Sequence, residues 1–544
     1  MHERVHQGRA VFNQLVTPVA DNLLLSFAVA TIPILVVLVL LGVLRRPAWQ
    51  ASSAGLVVGL ILAVAVWKLP PLLAIDSVLA GATFAAWPVM WIVVNALLLY
   101  NVAVASGRFE AFRAWMIEHL PNDRRVVLVV IGFSFGCLLE GISGFGTPVA
   151  ITSALLIAMG FNAIDALVFT LIFNTAPVAF GALGAPVTTL GAVTQLDDVA
   201  LGAMIGRQLP FIAVLLPFYV IAVYGGLRAL KGVWPILLAA GGSFASVQFI
   251  ASNYLGYALT DVLSSLTSLI VTLLFVRFWR LAPDPEFSLS PQTARKIETA
   301  SPALPAWQGW LPWIVLSIVV ILWVHFGVNL IGQIKIEWPG LHNAVFITAY
   351  SRPYAAVWTF QPMATGTAIL VATFITALIV RIRPAQLMAA LRGTLRQIRF
   401  PLITTMLIVG LAYLMNYSGI AYTLGMGIAS VGFIFPLVSA FLGWLAVFLS
   451  GSDTSGNALF GNLQVVAAQH LHLDPVLMAA TNASGGVMGK MISPQNIATG
   501  TATTNLKGQE GAVLARTFRH SIILTLLLGV IVMLQQYVFP EMIP

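Results

Sequence analysis

The stretches EGISGFGTP (Glu140 to Pro148) and NTAPVAFGALGAP (Asn174 to Pro186) interrupt one apolar region of the chain, and a second pair, SGSDTSGN (Ser450 to Asn457) and NASGGVMGKMISP (Asn482 to Pro494), interrupts another. Displacing the chain by about 310 positions sets Gly141 on Gly451, Gly146 on Gly456, Asn174 on Asn482, Gly181 on Gly489 and Pro186 on Pro494 to within a couple of residues, the kind of internal symmetry that transporter repeats leave. Two polar, glycine-broken blocks recur in one order. That pattern predicts a secondary transporter, whose substrate site forms where broken helices from two repeats meet near mid-membrane.

Composition sets the frame for this reading. Hydrophobic residues make up 59% of the chain and charged residues 8%, against about 25% charged in soluble domains. Apolar runs such as Leu23 to Leu44, Val126 to Gly160, Val357 to Val380 and Ile522 to Val538 recur from end to end. They predict an all-α polytopic membrane protein of roughly 12–14 transmembrane helices in inverted repeats, each repeat holding a re-entrant or broken-helix hairpin. The spans are helical because lipid cannot hydrate an open sheet edge. The first run is too long for a signal-peptide core and is stopped by Arg45 and Arg46, so it is expected to stay as a span. No soluble catalytic domain fits in the remainder, and a lone Cys137 excludes an internal disulfide framework.

The net charge of +8 does not point to nucleic acid, because the basic residues fall in short loops at every second crossing. Arg45 and Arg46, then Arg108, Arg113, Arg124 and Arg125, then Arg277, Arg280, Arg295 and Lys296, then Arg381 through Arg399, then Arg516 and Arg519 are all cytoplasmic under the positive-inside rule. Both termini are then predicted outside, in the periplasm. The five arginines of Arg381 to Arg399, spaced among Leu, Met and Ile, suit a helix lying in the cytoplasmic interface of the lipid bilayer.

A Pro-, Ser- and Thr-rich stretch near the midpoint reads as a cytoplasmic linker over 281–310. It separates a first repeat, 1–280, with a hairpin near 126–160 and a broken helix near 164–190, from a second, 311–544, with a hairpin near 433–470 and a broken helix near 475–500. The stretch before the first hairpin, Phe109 to Arg125, is basic, whereas Ile420 to Gly432 before the second carries no Lys or Arg. Segments that match in order but differ in charge predict repeats of opposite orientation.

The candidate site residues follow from what such breaks expose. Ser143, Gly144, Phe145, Gly146 and Thr147 form a turn in which glycine permits conformations closed to other residues, and Pro148 suits the first turn of a new helix. The free backbone N–H groups of a helix start can bind a carboxylate. Thr454, Ser455 and Asn457 offer the same device in the second block. Asn174 and Thr175, and Asn482 and Ser484, place short polar side chains where a helix is expected to unwind midway. Glu140, Asp453 and Lys490 are ionisable residues in the presumed membrane zone, where each costs about 2.5–3.5 kcal/mol and marks function by default. Glu140 and Asp453 are candidate proton carriers; Lys490 is a candidate for neutralising an anionic substrate or pairing with one of them. His470, His472 and Asp474 have ligand-type side chains but sit in a turn without a further cluster at metal spacing, and no HExxH pair or GxSxG elbow is present. No metal, cofactor or enzymatic activity is expected.

At these motifs the sequence resembles the bacterial L-lactate permease family, which includes glycolate permeases. LEGISGFGTPVAI (Leu139 to Ile151), NTAPVAFGALGAP (Asn174 to Pro186), GSDTSGNALFGNLQ (Gly451 to Gln464) and GGVMGKMISPQNIA (Gly485 to Ala498) carry the resemblance, with Ile142 and Ser143 standing where the family's common form has alanine and glycine. The resemblance implies inner-membrane symport of a proton with a small 2-hydroxy monocarboxylate: L-lactate, D-lactate or glycolate. It also implies kinship with the ion-transporter superfamily, in which substrate sits at the tips of two opposed hairpins. A sodium-coupled carboxylate carrier of the same architecture is the alternative, and an anion channel a more distant one.

Overall fold

A computed structural model describes residues 11–44, 46–142, 147–279, 281, 284–289, 304–348, 352–504, 506 and 509–544. Among these, eleven helices are long and apolar enough to cross a membrane, and a twelfth span forms where Ala163–Phe173 and Val178–Thr194 meet at 64°. Extended structure is confined to short strands. Phe12–Asn13 lies parallel to Val345–Ile347, which pairs antiparallel with Arg352–Pro353, and Ile334–Glu337 pairs antiparallel with Val357–Phe360. All but the first belong to the connection between the helices Ala306–His325 and Thr365–Ile379, so the N-terminal segment is stitched to the middle of the chain.

The first polar block lies on a helix pair. An arm runs from Arg124 to Ile142 through the π-helical stretch Leu128–Phe135, wholly buried, and Thr147–Ala158 returns. The returning arm is 12 residues long, about 18 Å at 1.5 Å per residue and so only part of a hydrocarbon core about 30 Å thick. Ser143, Gly144, Phe145 and Gly146 lie outside the described residues. In the second block Phe435–Ser450 ends at Gly451, and Asp453–His470 begins two residues later. Gly451 adopts a left-handed conformation (φ 72°) that closes the first helix, while Ser452 is extended and accepts from the Ser455 N–H to open the next.

Each hairpin is followed by an interrupted helix, and the two interruptions differ. Ala163–Phe173 stops at Asn174, the chain makes a single turn over Val178–Phe180, and Ala182, Leu183 and Gly184 all take positive φ before the helix resumes to Thr194. Backbone freed at membrane depth must find a partner; Gln248 on the neighbouring helix Trp234–Ile250 donates from Nε2 to the Ala176 carbonyl at 3.0 Å. The second helix departs from the reading that it unwinds at Asn482 to Gly485. It runs without interruption from Pro475 to Lys490, and the break falls at Met491–Ser493. The cause is Pro494, which has no N–H to continue the ladder; Ser493 caps the helix Pro494–Thr503 that follows. The segment Arg381 to Arg399 departs as well. Instead of forming a separate interfacial helix, most of it continues directly into a span as Pro384–Ser418, because nothing between Arg399 and Leu402 breaks the helix except Pro401, which is tolerated.

Pro475–Lys490 packs closely against Phe435–Ser450 along a glycine seam. A Cβ on Gly485 would collide with the Ala440 carbonyl, one on Gly489 with the Trp444 carbonyl, and one on Gly443 with the Asn482 carbonyl. Small residues at four-residue spacing let membrane helices approach backbone to backbone, and this contact carries Lys490 to the tip of the hairpin.

Candidate functional site

The local breaks deliver polar side chains from distant parts of the chain to one place. Glu140, near the end of the first hairpin's leading arm, pairs with Lys490, the last helical residue before the second break, at 2.5 Å between Oε1 and Nζ. The two are 350 positions apart. Their side chains are only 4% and 8% exposed, so the pair is desolvated, and breaking it by removing one partner costs about 3–5 kcal/mol. Asn174, at the first break, donates from Nδ2 to the other oxygen of Glu140 at 3.0 Å. Gly181 leaves the room this carboxylate occupies, since a Cβ there would lie 3.0 Å from Oε1.

Asp453 opens the second helix of the second hairpin. Its Oδ2 accepts from Asn457 Nδ2 at 3.1 Å, while its Oδ1 is buried without a partner among the described residues. Asn457 also donates to the Pro186 carbonyl at 3.2 Å, tying the second hairpin to the first interrupted helix. Behind it, Asn482 donates to Asn457 Oδ1 at 2.9 Å and accepts from Gln464 at 2.6 Å. Asn482 therefore belongs to a closed amide chain, fully buried. Asn496 bridges the hairpin tip to the second break, donating to the Gly451 carbonyl at 3.2 Å and to the Lys490 carbonyl at 3.4 Å.

Glu140, Asp453 and Lys490 line one cavity together with Ser452, Thr454, Gln495, Asn496 and Thr499. Its volume is about 50 Å³, room for a water or two at about 30 Å³ each. Two helix starts, at Asp453 and at Pro494, border this cavity beside Lys490, and the positive end of a helix favours a nearby anion. A carboxylate is the ligand such an arrangement accepts.

The candidate residues from the sequence divide accordingly. Glu140, Asn174, Asp453, Thr454, Asn457 and Lys490 come together. Ser455 gives its backbone N–H to the Ser452 cap, Thr175 turns its hydroxyl to the Ile172 carbonyl of its own helix, and Ser484 is buried with its hydroxyl unpartnered. Thr147 begins the returning arm of the first hairpin. Sequence reasoning did not single out Gln495, Asn496 or Thr499, although Pro494-Gln495-Asn496 stands inside a motif quoted above. It also passed over Asp261, a buried acid on Thr260–Phe278 that packs beside Gly141. Its signal was weak, an Asp in the first turn of a helix beside Thr260, Ser264 and Ser265. No group of three or more His, Cys, Asp or Glu side chains among the described residues is arranged to hold a metal ion.

Comparison with known proteins bears on the whole chain. The family described as L-lactate permease matches residues 26–539. The glycolate permease GlcA of Escherichia coli K12 is 40% identical over 95% of this chain and 97% of its own length. An L-lactate permease of Bacillus subtilis is 39% identical over 98% of this chain and 100% of its own. In fold the structure is similar to Neisseria gonorrhoeae MtrF, of a class of antimetabolite efflux pumps, with a TM-score of 0.50 at 14% identity over 92% of this chain and 97% of that one. A multi-pass helical protein whose motifs, length and sequence align with these permeases from end to end belongs to the L-lactate permease family.

Proposed function

We propose that this protein imports L-lactate, D-lactate or glycolate, each with one proton, across the bacterial inner membrane. The observation that carries the reading is the buried Glu140–Lys490 pair, drawn from both halves of the chain and facing a cavity bordered by two helix starts. The names of the relatives, L-lactate permease and glycolate permease, support the substrate class. The positive-inside count puts the first hairpin's base, at Arg124 and Arg125, in the cytoplasm. Counting spans onward puts the base of the second hairpin, and both termini, in the periplasm. Pairing of Phe12–Asn13 with Val345–Ile347 accords with this, since it requires the N-terminal segment and the connection after His325 to share a side.

The mechanism follows from competition for one ammonium. A substrate carboxylate entering between the hairpin tips displaces Glu140 from Lys490, with Thr454 and Asn496 in reach of its 2-hydroxyl. Glu140, deprived of its cation in a desolvated site, takes up a proton; Asp453, with one unpartnered oxygen, is the other candidate carrier. Anion and proton then cross together with no net charge. Because the cavity is smaller than the substrate, it must widen for entry. Each unit of pH gradient contributes about 1.4 kcal/mol, a tenfold accumulation.

Uptake of radiolabelled L-lactate into proteoliposomes, under an imposed pH gradient with the membrane potential clamped at zero, tests this. Uphill uptake that disappears in Glu140→Gln or Asp453→Asn supports it and identifies the carrier of the proton. Accumulation that requires sodium, or none at all, overturns it.

A further inference from the structure

Asp261 is 1% exposed, and neither of its carboxyl oxygens has a hydrogen-bond partner among the described residues. The neighbouring acids are held: Glu140 by Lys490 and Asn174, Asp453 through one oxygen by Asn457, and Asp198 by the Tyr257 hydroxyl at 2.6 Å. Leaving a buried polar group unpaired is costly, so an acid kept in this state needs a reason. Its position supplies one. Thr260–Phe278 approaches the first hairpin so closely at Gly141 that a Cβ there would come within 2.7 Å of the Asp261 Cβ. This contact sets Asp261 beside the residue that follows Glu140. Glu140 lines the small cavity and Asp261 is not among its lining residues.

We propose that Asp261 is a second proton-binding residue of the transport cycle, donating to Glu140 when a substrate carboxylate takes over Lys490. The inference rests on the proton-symport reading above. In this step the O–H bond of the Asp261 carboxyl breaks and one forms on a Glu140 oxygen; the Asp261 carboxylate then recovers a proton from water, so that one proton enters per anion. A polar route for that recovery begins one turn earlier on the same segment. The Tyr257 hydroxyl touches Asp198 at 2.6 Å and Thr188 at 3.1 Å, and both of these line a cavity of about 470 Å³ beneath Trp338 and Trp358.

The test compares wild type with Asp261→Asn, which keeps the shape and cannot carry the proton, and with Asp261→Glu. Gradient-driven lactate accumulation is expected to fall at least about tenfold in Asp261→Asn relative to lactate–lactate exchange in the same vesicles, the loss of one pH unit's worth of driving force, and to recover in Asp261→Glu. An accumulation-to-exchange ratio equal to that of wild type in Asp261→Asn overturns the proposal. A second readout does not need transport: infrared difference spectra of purified protein with and without lactate should contain a protonated-carboxyl band that Asp261→Asn removes or shifts. An unchanged band overturns the proposal equally. Wild-type vesicles that never accumulate lactate under a pH gradient would instead overturn the symport reading itself, and they would do so before any variant is made.

Discussion

Replacing Lys490 by methionine leaves Glu140 buried without its cation, whereas replacing both residues leaves two neutral groups of similar size. Lys490→Met alone is therefore expected to lose about 3–5 kcal/mol of stability, and the double variant Lys490→Met/Glu140→Gln to regain most of it, as read from thermal melts in detergent. Transport should fail in both, which separates the structural role of the pair from its role with substrate; a double variant no more stable than the single one would disprove the pairing. Asn174→Ala removes one donor from the same carboxylate, a hydrogen bond to a charged group worth about 1.5–3 kcal/mol. It should loosen Glu140 and change the pH dependence of uptake without abolishing folding. Glu140, Asp453 and Lys490 were legible in the sequence because a charge within an apolar run demands an explanation. Their pairing was not, because Glu140 and Lys490 meet only after 350 intervening residues have folded. Asparagine was harder to read. Asn174 and Asn482 occupy matching places in the two blocks, yet one faces Glu140 and the other closes an amide chain. Asp261 was overlooked because it lies outside both repeated blocks, among Thr260, Ser264 and Ser265, where a polar residue draws little attention.

At the level of single elements, the close seam between Phe435–Ser450 and Pro475–Lys490 makes a sharp prediction. Gly489→Val places methyl groups against the Trp444 carbonyl and is expected to cost about 1–3 kcal/mol through overpacking, while moving Lys490 from its partner. The melting temperature and the transport rate should fall together; a valine tolerated in both measurements would mean that the helices do not approach as described. The tip of the second hairpin is legible in the sequence because Gly451 and Ser452 each perform a nameable task in ending or restarting a helix. The exact site of the second break was misread for a related reason: polarity at Asn482 and Ser484 was taken as a sign of unwinding, but these side chains are buried against neighbouring helices while the backbone ladder stays intact. Pro494, which removes a donor outright, was the stronger signal.

For the molecule as a whole, the proposed cycle moves one anion and one proton together and is electroneutral. Lactate accumulation in proteoliposomes should rise about tenfold per unit of pH gradient and remain unchanged when a potassium diffusion potential is imposed. A response to potential at fixed pH would require a different ion stoichiometry. The helical, polytopic character followed directly from composition, whereas the stitching of Phe12–Asn13 to Val345–Ile347 could not, since strands this short carry no periodicity to detect. The compact closure of Lys490 on Glu140 also governs the carrier when it has no cargo. In the proposed cycle an empty carrier with the pair re-formed holds no uncompensated ammonium at its centre and can return to the outside to reload. A carrier that tried to return with a proton on Glu140 and no anion would leave the ammonium uncompensated, and that arrangement is strongly disfavoured. In the proposed cycle slip, the leak of protons without cargo, is thus opposed by the same lysine that would recruit the anion, and a cell that has exhausted its external lactate would keep its proton gradient intact.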